Sequence, residues 1–196
     1  MNLFRTIRIG AVIVAALAAS AAQTSAAGTT TWNADPVHSS AQFTATHLLI
    51  SHVSGTIPIK KAAIVIPDGA NVPMSVSASL DPGGIDTRVA DRDSDLKSAH
   101  FFDVTTYPEM SFQSTKITVI DDKSFTINGN LTMHGQTHPM TLKAQYLGRG
   151  PGFRSETRVA FTADGMVDRT QWGMTNFVPV VSAAITIHLE VEATNQ

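Results

Sequence analysis

From Ala41 to the C-terminus, apolar and polar residues alternate with a period of two. Ala41, Phe43 and Ala45 are interleaved with Gln42, Thr44 and Thr46, and Val72, Met74, Val76, Ala78 and Leu80 with Ser75, Ser77 and Ser79. That period places one residue set on each face of a β-strand, so one sheet face is apolar and the other wet. It argues against a mainly parallel α/β fold, whose strands are buried on both faces and read as unbroken apolar runs. Further runs are Val53 to Ile59, Ile64 to Ile66, Met110 to Val119, Phe125 to Leu131, Met140 to Tyr146, Val159 to Ala163 and Ile185 to Val191. Turns are expected at Asp121-Asp122, at His134 to His138 and in a Gly148 to Gly152 loop, with Pro58 bending or edging its strand. Eight or nine antiparallel strands result.

Closing eight strands leaves an interior just wide enough for side chains or for one small ligand. Many inward candidates are small, among them Ala41, Ala45, Gly55, Ala78, Gly129, Ala144 and Ala163, so the expectation is room along the axis. An outer-membrane barrel would share the alternation with its apolar face outward. Most runs here are shorter than the roughly 9 to 11 residues of a spanning strand. Aromatic residues make up only 7% of the chain and form no girdles, so a soluble barrel is expected.

Residues 1–27 read as an export signal. Arg5 and Arg8 precede an apolar run from Ile9 to Leu17, and small residues near Ala21 or Ala26 offer cleavage sites. Residues 28–196 then form one domain. The formal net charge is −2, and loss of Arg5 and Arg8 makes the product more negative, which disfavours general nucleic-acid binding. There is no cysteine, hence no disulfide, thiol nucleophile, cysteine metal site or lipid-anchoring thiol. A periplasmic destination is expected, with secretion as the alternative.

The one charged, helix-favouring passage runs from Asp86 to Pro108 and builds something at one end of the sheet. Within it Arg88, Asp91, Arg92 and Asp93 read either as a salt-bridged surface face or as polar groups at a mouth. Phe101 and Phe102 must pack on the barrel end, because an exposed adjacent pair invites aggregation. Trp172, Met174 and Phe177 pose the same choice between sealing a core and lining an entrance. His38 and His47 either bond loop carbonyls or orient a ligand beside an apolar cavity. The pairs His47/His52 and His134/His138 have poor metal-ligand spacing. The nucleophile-elbow, zinc-protease, phosphate-loop and dinucleotide motifs are absent from the sequence.

The ordered segments Asp35-Pro36-Val37-His38-Ser39, Thr87-Arg88 with Asp91-Arg92-Asp93, Phe101-Phe102-Asp103, Gly129-Asn130-Leu131-Thr132, Gly135 to Pro139, and Asp168-Arg169 before Trp172-Gly173-Met174 resemble the YceI family of polyisoprenoid-binding proteins. The resemblance spans nearly the whole of residues 28–196, with departures at Trp172 and Ala183-Ala184. It implies an all-β, extended eight-stranded antiparallel lipocalin-like barrel with a short helical insertion near residues 88–103. It implies no enzymatic activity and no cofactor. The partner it implies is an isoprenoid lipid, a quinone or precursor, or a similar long amphiphile. Transient contact with membranes or membrane proteins, as monomer or homodimer, fits that role. The expected ligand-binding residues are His38, Phe43, His47, Ile57, Met74, Val76, Leu80, Arg88, Asp91, Arg92, Phe101, Phe102, Phe112, Arg169, Trp172, Met174 and Phe177. The alternative is a periplasmic stress protein that binds metal through its histidines, or an enzyme.

Overall fold

The computed structural model describes residues 28–195; the expected export signal lies outside them. The strands are β1 (Thr29–Ala34), β2 (Ser40–His47), β3 (Ser51–Ile57), β4 (Ile59–Pro67), β5 (Ser75–Leu80), β6 (Met110–Val119), β7 (Ser124–Met133), β8 (Gln136–Pro151), β9 (Thr157–Asp168) and β10 (Val181–Thr194). All pair antiparallel in the order β1-β4-β5-β6-β7-β8-β9-β10, and β10 closes back on β1. Ala193 and Thr194 pair with Ala34 and Asn33, while Val181 to Glu190 pair with β2. So β1 and β2 lie end to end along β10, and β4 and β3 lie end to end along them. Ten segments make eight staves of a closed barrel. The break between β3 and β4 falls at Pro58, which has no N–H for the ladder.

The single α-helix among the described residues, α1 (Ala90–Lys97), lies in the insertion between β5 and β6. The insertion starts by extending the sheet: Thr56 and Asp86 exchange backbone hydrogen bonds of 2.9 and 3.0 Å, covering the free edge of β3. Asp93 then accepts from the Thr87 backbone N–H (2.8 Å) and hydroxyl (2.5 Å), while Arg92 donates to the Thr87 hydroxyl and carbonyl. The expected salt-bridged face is therefore replaced by a clasp on Thr87. Arg88 and Asp91 are exposed and stand outside it.

Three expectations about strand ends are corrected. Met74 precedes β5 and is 58% exposed, because Pro73 interrupts the ladder that the alternation from Val72 suggested. The turn at His134 is only two residues long: His134 and Gly135 have φ of 48° and 71°, the left-handed pair a tight hairpin needs, and His138 already pairs with Leu131. Gly148 to Pro151 are strand, not loop. A bulge between Tyr146 and Gly148 resets the register, and pairing with β9 continues to Pro151.

Two glycines also act differently from the expectation. A Cβ on Gly55 would lie 2.6 Å from Phe43 Cζ, and one on Gly129 would overlap the Phe112 ring. Their missing side chains seat those rings and add no axial space.

Candidate ligand-binding tunnel

Inside the barrel is a cavity of about 150 Å³. Apart from Gln42 and Thr162, every residue on its wall is apolar. Ala41, Ala62, Ala78, Ala144 and Ala163 supply the room, and Phe43, Phe112, Phe125 and Phe161 supply the broad surfaces. An apolar cavity of this size accepts a benzene-sized group. A longer chain must move side chains, and Met110 and Met140 on the wall are the flexible ones.

Of the residues singled out in the sequence, Phe43, Ile57, Val76, Leu80 and Phe112 line this cavity. The parity of the strands also reached Leu131, Leu142, Ile187 and Leu189, which belong with them on the wall. Met74 lies outside it.

Most of the others gather at the insertion end of the barrel. Phe101, 7% exposed, stacks on Phe177 with centroids 5.8 Å apart, and Asn176 donates to the His100 carbonyl at 2.8 Å. Trp172 is 1% exposed and its Nε1 donates to the Leu131 carbonyl at 3.1 Å. Met174 is buried beside it in the core, and Phe102 packs against that core half-buried. His47 ends β2 at the same barrel end, where its carbonyl accepts from Ser51.

Arg169, expected among the ligand-binding residues, is 4% exposed. Its guanidinium donates to the carbonyls of Met174 (2.5 Å), Asn176 (2.8 Å), Val181 (2.9 Å) and Ser182 (2.9 Å) and lies over the Phe101 ring. Burial lowers its pKa from the ordinary arginine value. These contacts clasp the loop from Gly173 to Val181 and leave little of the guanidinium for a ligand.

His38 is exposed on the outside of the barrel. Its Nδ1 is 2.8 Å from Asp35 Oδ2, and with Glu192 these residues form a compact set of possible metal donors. Arg158 already sits between the carboxylates, bonding Asp35 at 2.9 Å as well as Glu192 and Glu156. His47 and His52 fall on opposite sheet faces, since His47 pairs with Ser51 and His52 with Thr46. His134 approaches the Trp172 carbonyl at 2.8 Å and His138 packs edgewise on the Trp172 ring.

The Arg158 network joins the β1–β2 corner to β9 and β10. Hydrogen bonds from His38 and then Arg158 hold the Asp35 carboxyl well below its usual range. A depressed folded pKa stabilises the fold above the unfolded value near 4, and this contribution is lost as pH falls through the folded value. Asp35→Asn should therefore cost about 1 kcal/mol at pH 7. Its urea midpoint should converge on the parent's as pH drops from about 4 towards 2. A constant gap across that range would show that Asp35 ionisation is not the cause.

Residues 32–193 match the model of the YceI-like domain. The chain is 28% identical over 159 residues to Protein YceI of Salmonella newport (strain SL254), covering 81% of this chain and 83% of that protein. The crystal structure of the Campylobacter jejuni YceI protein superposes with a TM-score of 0.66 at 25% identity, covering 77% of this chain and 90% of that one. A polyisoprenoid-binding domain from Saccharophagus degradans, implicated in plant cell wall breakdown, shares the fold at a TM-score of 0.65 and 9% identity, over 84% and 98% of the two chains. The closed eight-stranded barrel, the single short α-helix among the described residues and a family match across nearly all of them make this chain a member of the YceI-like domain family.

Proposed function

We propose that this protein is an exported, non-enzymatic carrier that holds the apolar chain of a polyisoprenoid lipid inside its barrel. The observation that carries this reading is the apolar cavity enclosed by the strands. The ligand named for the Saccharophagus degradans domain supports it, as does the signal-like reading of residues 1–27.

The energetics set a condition. Each buried methylene contributes about 0.8 kcal/mol, so a five-carbon isoprene unit contributes about 4 kcal/mol. Association costs about 4 to 15 kcal/mol, so one unit in a cavity of about 150 Å³ gives little net affinity. Useful binding needs several units, hence a barrel that opens along its axis as the chain enters.

The test is native mass spectrometry of the protein purified from its own cells, followed by organic extraction of whatever it carries. The expected result is an added mass that resolves on extraction into isoprenoid species. Recovery of protein carrying a stoichiometric metal and no lipid would overturn the proposal.

A further inference from the structure

We propose that the barrel end opposite the insertion, at Trp32, Tyr146 and Arg149, receives the oxygen-bearing headgroup of the amphiphile whose chain occupies the cavity. This rests on the carrier reading above.

Trp32, on β1, is 3% exposed, and its indole Nε1 is buried without a hydrogen-bond partner among the described residues. Buried N–H groups are nearly always paired, and Trp is usually placed so that its own is. Trp172 obeys that rule through Leu131. Trp32 is not itself on the cavity wall but adjoins it through its cross-strand partner Ile64, which is.

A cation stands over the same ring. The bulge after Tyr146 brings Arg149 opposite Val159, two residues along β9 from the Phe161 that faces Tyr146. Its guanidinium carbon lies 5.1 Å from the centre of the Trp32 ring. One bond of 3.2 Å to the Ala70 carbonyl steadies it, and it has no carboxylate partner among the described residues. Most of its N–H groups therefore remain available. Tyr146, half-buried, packs on Phe161 at 5.6 Å, and Phe161 lines the cavity.

At the other end Arg92 is spent on Thr87 and Arg169 on four carbonyls, while Arg88 is exposed and has no unpaired buried side-chain donor beside it among the described residues. An indole N–H and a guanidinium together recognise an acceptor oxygen, either a quinone-type carbonyl or a phosphate. The guanidinium favours the anion.

The experiment titrates the full chain with three ligands of one isoprenoid length: a quinone, a monophosphate and the bare hydrocarbon. The parent should bind both oxygenated ligands at least about tenfold more tightly than the hydrocarbon. Arg149→Gln changes an exposed side chain and should weaken the phosphate by about tenfold, leaving the hydrocarbon unchanged. Trp32→Phe removes the N–H and should lower the preference for both oxygenated ligands. Unchanged preferences in folded Arg149→Gln, with hydrocarbon binding intact, would overturn the headgroup site and leave the carrier reading standing. A parent protein that binds none of the three would overturn both.

Discussion

Val76→Trp is expected to weaken binding of a long isoprenoid by about a thousand-fold. Val76 lies on β5, faces Ile64 across the sheet and contributes to the cavity wall; its backbone N–H is held by Ser114 Oγ at 2.9 Å. An indole at that position occupies the space of about one isoprene unit. Losing five buried carbons forfeits about 4 kcal/mol, which is the thousand-fold. Overpacking should cost the fold about 1 to 3 kcal/mol, small enough to leave a folded population to assay. Titration with isoprenoids of increasing length is the check. The parent should gain affinity with each added unit and the variant should not. A folded variant that keeps full affinity would remove this cavity from the binding site.

The wall around Val76 was legible because period-two alternation is a local property of the chain. Phe43, Leu80 and Phe112 each sit on a parity that can be counted from the sequence, and each faces the cavity. Counting fails wherever the backbone slips. Strict alternation from Tyr146 puts Gly148 on its face and Arg149 on the other. The bulge reverses this, and Arg149 comes over Trp32. The Lys60-Lys61 step on β4 hides a similar shift, so Ala62 and Ile64 share the inner face with Ile59. Strand β1, which carries Trp32, is six residues with a single fully buried side chain, too brief for a periodicity to stand out.

The insertion end was legible in composition but not in contacts. Charge marked out the segment around α1, yet what Arg92 and Asp93 hold is Thr87, fixed by a backbone turn that no spacing rule encodes. Arg169 is the clearest case. From the sequence it reads as a ligand-binding cation, because its actual partners are main-chain carbonyls and so leave no trace in residue identity.

Arg169→Met should be the most damaging of these substitutions to the fold. The loop it clasps has no regular structure and must turn its carbonyls somewhere; Gly173 at φ 81° and Phe177 at φ 62° show how sharply it bends. Two of its carbonyls, those of Met174 and Asn176, converge with those of Val181 and Ser182 at the start of β10 on one buried guanidinium. Methionine fills the volume but donates nothing, leaving one buried and three part-buried acceptors without that partner. Hydrogen bonds to charged groups contribute about 1.5 to 3 kcal/mol each, though four on one group do not add in full. A loss of about 3 to 5 kcal/mol is expected, by analogy with removing one partner of a buried ionic contact. For a domain of this size that lowers Tm by roughly 6 to 20 °C. Arg169→Lys should recover only part of the loss, because an ammonium lacks the planar fork that reaches four carbonyls at once. Thermal unfolding of the three proteins decides the matter, and a Tm for Arg169→Met within a degree or two of the parent would mean the clasp stabilises nothing. Below its lowered Tm the variant should keep the parent's headgroup preference, since the guanidinium faces the protein's own carbonyls.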